Sequence, residues 1–345
     1  MANLTADAAS ALRLSLAALG KSGDFQLKPL TGGLNNRVFE VSLPGSEPLV
    51  LKHYFAAPED NRNRLATEYR FLRVLWDEGI RAVPEPVAEI AAQQMALYGF
   101  VAGQGVRLGQ VSQNEVSQAL AFLLDLSKVS RKVGSGAFNA ASDACFSLND
   151  HIASMERRIA RVQDISDSTA IERDAKRFLR EEILPLAETL KADIESLAFQ
   201  LDISGQTCIA AECRCLSPSD FGFHNALRKD DGSLVFLDFE YAGYDDPAKM
   251  ICDFFSQEAV QVPAKYFRRF ADGIADALSL GDNDRTRIDR LLPVHRLKWA
   301  CMILQEFVPA VIERRRFAMA DFDQEAYLAG RLYRARELMT QIEVA

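Results

Sequence analysis

Residues 216–241 read LSPSDFGFHNALRKDDGSLVFLDFEY, and they contain the strongest structural signal in the chain. The apolar runs at residues 226–228 and 234–237 predict two short strands, and the letters KDDGS between them are typical of a hairpin turn. Because a hairpin returns the chain on itself, we expect Asn225 and Asp238 to lie close together at its open end. Two oxygen-bearing side chains would then lie side by side.

The same stretch has a spacing that is typical of phosphoryl transfer. Asp220 precedes Asn225 by five positions, as a base and a metal ligand do in a kinase catalytic loop. Asp238 follows an apolar strand, where a carboxylate can bind a magnesium ion that bridges two phosphates. Hydrogen bonding within a local turn is the alternative role for such residues. The hairpin that joins Asp238 to Asn225 favours the metal-ligand role.

The first hundred residues predict a sheet with a lysine and a helix with a matching glutamate. Strand patterns at residues 37–43 and 48–55 predict an antiparallel pair, and residues 62–78 predict a helix. Lys52 lies in the second strand, where alternation can point its ammonium group inward. Glu68 follows sixteen positions later, where an inward carboxylate would pair with Lys52. The alternatives are an outward lysine and a solvated helix glutamate.

The rest of the chain is dominated by helical patterns, at residues 114–126, 148–162 and 169–201. A length of 345 residues also exceeds the usual size of a single domain. We therefore predict an α+β, two-lobed chain with an N-terminal antiparallel sheet lobe, residues 1–103. A larger, mainly helical C-terminal lobe, residues 104–345, would carry the catalytic loop, the metal site and the acceptor site.

Composition excludes several classes of protein. A hydrophobic share of 48% and a charged share of 26% are typical of a folded chain rather than a disordered one. The formal net charge of −8 argues against nucleic acid as a partner. No apolar run approaches membrane-spanning length, and no secretory leader is recognisable, so we expect no membrane partner. Six cysteines without a disulfide-type spacing predict free thiols in the cytoplasm. The oligomeric state stays open.

These motifs together resemble the aminoglycoside phosphotransferase and choline kinase superfamily, small-molecule kinases with a protein-kinase-like fold. The family's catalytic loop, His-Gly-Asp followed after four residues by Asn, aligns with residues 218–220 and Asn225. This implies Asp220 as the base and Asn225 as a magnesium ligand. The family's Asp-[Phe/Trp]-Glu segment aligns with residues 238–240 and implies Asp238 as the second ligand. The resemblance implies ATP and Mg²⁺ as cofactors and a small-molecule hydroxyl as the acceptor.

The resemblance extends to the N-terminal part of the chain. Residues 30–41, LTGGLNNRVFEV, are similar to the family's glycine-rich turn and following strand, although a Gly-Gly pair before a strand is also a common simple turn. Residues 98–101 align with the hinge, whose backbone would contact adenine. The resemblance thus implies that the nucleotide is bound by Gly32, Gly33, Asn36, Lys52, Glu68, Gly99 and Val101.

Two questions stay open. Pro218 and Ser219 stand where the family has histidine and glycine, so a non-catalytic nucleotide-binding module of the same fold is the alternative to an active kinase. The acceptor is the second open question, with aminoglycoside-like, amino alcohol-like and sugar-like molecules all compatible with the sequence. Candidate acceptor contacts are the aromatic residues Tyr241, Tyr244 and Trp299 and the acidic residues Glu240, Asp245 and Asp246.

Overall fold

A computed structural model of the chain describes residues 4–30, 36–55, 62–134, 136–318 and 322–343. The chain divides into two compact units, of which the first comprises residues 1–106 and 223–243 and the second residues 107–222 and 244–345. The functional lobes predicted above, 1–103 and 104–345, remain a prediction.

The strands are β1 (Gln26–Leu30), β2 (Arg37–Ser42), β3 (Leu49–His53), β4 (Pro86–Ile90), β5 (Met95–Gly99), β6 (Gln104–Gly105), β7 (Cys215–Ser217), β8 (Ala226–Arg228), β9 (Leu234–Phe236) and β10 (Gly243–Asp245). The helices are α1 (Ala6–Ala18), α2 (Arg64–Asp77), α3 (Gln113–Val133), α4 (Leu148–Arg161), α5 (Ala170–Phe178), α6 (Leu184–Gln200), α7 (Pro247–Ser256), α8 (Phe267–Leu278), α9 (Asp282–Leu304), α10 (Pro309–Ala318) and α11 (Gln324–Met339).

The first unit is built on an antiparallel sheet with the strand order β1-β2-β3-β5-β4. Its core joins α1 to alternate residues of the sheet, among them Phe39, Leu51 and Leu97. Successive side chains of a strand point to opposite faces. Leu51 packs in this core, and Lys52 and Tyr54 follow it by one and three positions. Lys52 and Tyr54 therefore both lie on the opposite face of the sheet.

Helix α2 brings a carboxylate to the first unit. The Asn63 side chain accepts a hydrogen bond from the Ala66 amide and so satisfies one of the unpaired donors at the start of the helix. Phe71 and Leu75 are fully buried, and Glu68 is three positions before Phe71 on the buried side of the helix. The helix therefore presents a carboxylate inside the unit rather than to solvent.

The predicted hairpin of β8 and β9 forms in the first unit, where β6 adds a third strand. Gly232 has a φ of 82° in the turn, a conformation that glycine adopts without steric cost. The Leu237 amide donates to the Asn225 carbonyl at 2.8 Å, which extends the pairing beyond the last strand residues. Asp238 thus directly follows the residue that is paired with Asn225.

The second unit is mainly helical, and α9 packs against α4, α6, α7, α8 and α11. The single helix predicted at 169–201 is instead two helices, joined by a π-helical turn at Leu179–Ile183. Pro185 lies in the first turn of α6 and has no amide hydrogen to donate, so the regular ladder is broken there. Among the described residues, no helix combines the length and the apolar character that crossing a bilayer requires.

Candidate functional site

Lys52 lies at the centre of a buried cluster in the first unit. It is 8% exposed, and its Nζ donates to Glu68 Oε2 at 2.6 Å and to Asp238 Oδ1 at 2.5 Å. Glu68 is 4% exposed, whereas the Asp238 side chain is 40% exposed. Glu68 is therefore the fixed partner of the lysine, and Asp238 is the partner that a ligand can reach.

The electrostatics of the cluster keep Lys52 charged. Burial alone lowers the pKa of a lysine, but the carboxylates of Glu68 and Asp238 outweigh it and raise the pKa of Lys52 above its ordinary value. Burial raises the pKa of Glu68, an effect that the Lys52 ammonium opposes. Lys52 is therefore a cation whose charge two carboxylates already balance, and an anion would have to replace one of these carboxylates as its partner.

Glu68 also organises residues that sequence reasoning missed. Its Oε2 accepts from the Tyr54 hydroxyl at 2.8 Å, and its Oε1 accepts from the Phe239 amide at 3.3 Å. The hydroxyls of Tyr54 and Tyr98 are in turn 2.7 Å apart. Tyr54 follows Lys52 by two positions, so the alternation that points Lys52 inward was the signal that could have found it.

Asp238 has an unusual backbone. Its φ is 66°, in the left-handed region that most residues other than glycine avoid and that Asp and Asn tolerate best. Such outliers persist only where the surrounding contacts hold them, and they cluster at functional sites. The contact of Asp238 with Lys52 and that of the next amide, Phe239, with Glu68 hold this segment in place.

Oxygen ligands for a hard cation are grouped in the same unit. One carboxylate oxygen from each of Glu68, Asp238 and Glu240 lies within 4.8 Å of the others. Lys52 Nζ contacts the same three residues, at 2.6 Å from Glu68, 2.5 Å from Asp238 and 3.9 Å from Glu240. Carboxylate and amide oxygens are the donors that Mg²⁺ prefers, so Asp238, Glu240 and the predicted ligand Asn225 fit that ion chemically, whereas Glu68 is held by the lysine. Glu240 was not predicted as a ligand, although it closes the Asp-Phe-Glu segment that points to Asp238.

The predicted nucleotide contacts differ in what the structure shows of them. Gly32 and Gly33 lie outside the described residues. Asn36 donates through Nδ2 to Glu240, and its Oδ1 accepts from the Phe55 amide at 3.2 Å. These contacts tie Asn36 to the Asp-Phe-Glu segment and to Phe55, which follows β3.

The hinge residues follow the end of β5. The Gly99 amide donates to the Glu85 carbonyl at 2.8 Å, so its N–H belongs to the sheet. Val101 lies two residues beyond Gly99, in a segment without regular secondary structure. The roles of both residues in binding adenine remain predictions.

The loop that carries Asp220 belongs to the second unit. Gln257 Nε2 donates to Asp220 Oδ1 at 3.3 Å. Ser219 has a φ of 67°, its amide donates to Ser217 Oγ at 3.0 Å, and its own Oγ donates to the Ser142 carbonyl at 3.3 Å. Side chains from several segments therefore support the residue that the sequence predicts to be the base.

The acidic residues after the Asp-Phe-Glu segment are buried in the second unit. Asp245 accepts from Lys249 Nζ at 2.8 Å and from the Cys145 amide at 3.0 Å. Asp246 caps α7 by accepting from the Ala248 amide at 2.8 Å. Neither carboxylate is exposed, so they do not form the acidic surface that an acceptor with several ammonium groups would need.

Asp253 contacts two lysines, a histidine and a tryptophan. It accepts from His295 Nδ1 and Trp299 Nε1, each at 2.9 Å, and from Lys298, while Lys249 lies 3.4 Å away. Trp299 therefore has a structural hydrogen bond, and Lys298 is buried rather than reaching out to an acceptor. The position of Asp253 on α7 makes it an anchor of that helix.

Comparison with known proteins identifies the family of this chain. Residues 26–291 match the sequence profile described as the phosphotransferase enzyme family. The chain belongs to this family. The predicted enzyme class, a small-molecule phosphotransferase, is confirmed by this match, and so is the resemblance to aminoglycoside phosphotransferases and choline kinases. No curated protein sequence matches this phosphotransferase significantly.

Solved structures confirm the predicted protein-kinase-like fold. A choline kinase from Cryptosporidium parvum Iowa II is 12% identical, with a TM-score of 0.62 over 98% of this phosphotransferase and 96% of that chain. A spectinomycin phosphotransferase, in complex with ADP and spectinomycin, is 11% identical, with a TM-score of 0.59 over 91% and 94% of the two chains. An amicoumacin kinase, in complex with AMP-PNP and Ca²⁺, is 14% identical, with a TM-score of 0.54 over 99% and 98%.

Proposed function

We propose that this phosphotransferase is an ATP- and Mg²⁺-dependent kinase that phosphorylates a hydroxyl group of a small molecule. The observation that carries the proposal is Lys52, buried between Glu68 and the partly exposed Asp238. A lysine in this setting can exchange its contact with Asp238 for a phosphate oxygen while Glu68 keeps it in place. ADP and AMP-PNP in the two related complexes support a nucleotide as the phosphate donor.

Asn225 and Asp238 are the residues we propose to hold magnesium, with Glu240 close to Asp238. When bound, the ion would neutralise charge on the donor phosphates. The protein's own contribution is to fix the ligands, since the hairpin pairing sets Asn225 and the backbone of residues 237–239 sets Asp238. Both ligands are oxygen donors, as magnesium requires.

Asp220 is the proposed base. Its carboxylate would accept the proton of the acceptor hydroxyl as that oxygen forms a bond to the γ-phosphorus. The bond from the γ-phosphorus to the β-phosphate oxygen breaks, and ADP leaves with the electron pair. Asp220 then carries the proton and releases it to solvent. The products are a phosphate monoester and ADP.

The acceptor is proposed to be aminoglycoside-like, amino alcohol-like or sugar-like. Related structures are those of a choline kinase and of a spectinomycin phosphotransferase in complex with spectinomycin. A net charge of −8 favours encounter with a cationic acceptor through long-range attraction.

The six cysteines are all free thiols, which supports the cytoplasm as the place of action.

The first experiment measures acceptor-stimulated ADP release with ATP, Mg²⁺ and pools of aminoglycosides, amino alcohols and sugars. We expect Asp220→Asn to lower kcat by about 10²–10⁴-fold while nucleotide binding is retained. Asp276→Asn changes an exposed carboxylate of the second unit and is the matched control, with turnover equal to that of the unchanged protein. Wild-type turnover in Asp220→Asn would overturn the role of Asp220. Nucleotide binding without turnover in every pool would favour a non-catalytic module.

A further inference from the structure

The loop before Asp220 lacks the histidine and the glycine of the family's pattern. Pro218 stands in the place of the histidine, and a proline has neither a side-chain donor nor a backbone N–H. Ser219, in the place of the glycine, uses its own polar groups on Ser217 and Ser142. Contacts from elsewhere in the second unit can therefore orient the Asp220 carboxylate.

One such contact comes from the end of α7. Gln257 directly follows this helix and is 4% exposed. Its Nε2 donates to Asp220 Oδ1 at 3.3 Å, and its Oε1 accepts from the Ala259 amide at 3.5 Å. A backbone N–H can only donate, so the contact with Ala259 identifies the oxygen end of the amide. The NH₂ end consequently faces Asp220.

Aromatic packing holds the loop against the same helix. Phe221, the residue after Asp220, stacks on Phe254 of α7 with ring centroids 5.2 Å apart. It also stacks on Phe122 of α3 at 5.7 Å. Phe254 is itself stacked on Phe270 of α8 at 4.8 Å. The backbone beside Asp220 is thereby fixed relative to the helix that ends at Gln257.

Helix α7 is a rigid support. All ten of its residues are buried, and Asp246 caps its first turn. Lys249 links Asp245 and Asp253 along one side of the helix, at 2.8 Å and 3.4 Å. A supporting group is effective when packing and hydrogen bonds lock its own position, and these contacts lock the helix.

We propose that Gln257 is a positioning residue for Asp220. The proposal rests on the proposed function, in which Asp220 is the base. The Gln257 amide donates to one carboxylate oxygen and so holds the carboxyl group in one orientation. Unlike a cation, a neutral amide leaves the base able to accept a proton.

The test compares Gln257→Glu and Gln257→Leu with a control, Gln200→Glu, at an exposed position on α6. Gln257→Glu keeps the size of the side chain but sets a second carboxylate against Asp220. We expect both Gln257 variants to lower kcat about 10–100-fold, with KM for ATP changed less than about twofold. In Gln257→Glu the acidic limb of the pH–kcat profile should also move to higher pH, because a like charge raises the pKa of the base. Gln200→Glu should match the unchanged protein.

Asp220→Asn is measured alongside these variants to separate the two hypotheses. If Asp220→Asn keeps wild-type turnover, the role of the base fails and with it the proposed function of that residue. If Asp220→Asn is inactive while both Gln257 variants keep the wild-type kcat and pH profile, the positioning role alone is overturned. Should Gln257→Leu not fold, Gln257→Asn replaces it, since its amide is too short to reach Asp220. A wild-type kcat in Gln257→Asn would then overturn the positioning role.

Discussion

Ser219 shows how a single residue can depart from a family pattern and keep the backbone that the pattern requires. Its φ of 67° lies in the left-handed region, where a glycine has no steric cost. The amide of Ser219 donates to Ser217 Oγ, and its hydroxyl donates to the Ser142 carbonyl. These two hydrogen bonds offset the cost of the conformation. A glycine at this position would adopt the same backbone angle without steric cost, which the sequence alone does not reveal.

We predict different outcomes for two substitutions at Ser219. Ser219→Gly removes the steric cost but loses the hydroxyl and adds freedom to the unfolded chain, so the free energy of unfolding should stay within about 1 kcal/mol of wild type. Ser219→Val puts a β-branched residue into the left-handed region and should destabilise the protein by about 1–3 kcal/mol. Urea unfolding measures both. A valine variant as stable as the glycine variant would contradict this account.

The candidate site could be predicted in part at the scale of residues. Alternation along a strand and the period of a helix are patterns of neighbouring residues, and they pointed to Lys52 and Glu68. The structure places Lys52 Nζ 2.6 Å from Glu68 Oε2. The contact of Lys52 with Asp238 joins residues 186 positions apart, and Gln257 reaches Asp220 from beyond a separate helix. No local pattern encodes such contacts, because they depend on how distant elements pack.

At the scale of elements, a buried chain of hydrogen bonds connects α4 and α9 to two carboxylates of α7, Asp246 at its N-cap and Asp253 within it. His151 Nε2 lies 3.2 Å from Asp246 Oδ2, and His151 Nδ1 lies 2.9 Å from His295 Nε2. His295 Nδ1 lies 2.9 Å from Asp253 Oδ1. If each imidazole donates to its carboxylate, the two facing nitrogens need one further proton. A single positive charge on the pair satisfies all three contacts.

The pKa directions agree with one charge on the histidine pair. Burial favours a neutral ring, but contacts with Cys145 and Asp246 outweigh it and raise the pKa of His151 to about 9. Burial, together with the Lys298 ammonium, lowers the pKa of His295 to about 3. His151 is thus the ring that carries the proton near neutral pH.

This charge predicts how stability depends on pH. Between pH 6.5, the ordinary pKa, and the raised pKa of about 9, folded His151 binds a proton that the unfolded chain has lost. The free energy of unfolding should therefore fall as pH rises through this window, by at most about 1.4 kcal/mol per pH unit. The contribution is fully present below pH 6.5.

Urea unfolding across that pH window provides the check. His151→Gln should flatten the dependence on pH. His53→Gln is the control, because burial and Arg37 lower the pKa of His53 and place its titration below the window. A wild-type slope in His151→Gln would contradict the prediction.

Elements were predicted best where one period runs without interruption. The helix expected at residues 148–162 is found as Leu148–Arg161, and the strand expected at 37–43 as Arg37–Ser42. Strand β1 was missed, because Lys28 and Pro29 interrupt its apolar alternation. The π-helical turn was missed because the apolar pattern continues on both sides of it.

At the scale of the whole molecule, periodicity predicted a sheet-containing part and a larger helical part. It could not predict that residues 223–243 group with the first unit, since that depends on contacts such as Phe236 with Ala82 and Phe239 with Phe71. The order of Lys52, Glu68 and the later Asp-Phe-Glu segment along the chain was nevertheless specific enough to indicate the family. Sequence identity to the related structures is only 11–14%, so the motifs of this chain, rather than overall identity, gave that indication.

A ligand that binds only the folded chain stabilises the whole molecule, so melting in the presence of nucleotide tests the proposed magnesium ligand without requiring an acceptor. With MgATP at 100 times its Kd, the gain is about 2.7 kcal/mol, and the melting midpoint should rise by several degrees. Asp238→Asn should lose the part of the shift that depends on Mg²⁺, because the carboxylate charge is gone while asparagine tolerates the φ of 66°. Asp220→Asn and the exposed control Asp276→Asn should keep the full shift, since neither residue is proposed to bind nucleotide or metal. If Asp238→Asn were stabilised by MgATP as much as wild type, Asp238 would not be a magnesium ligand.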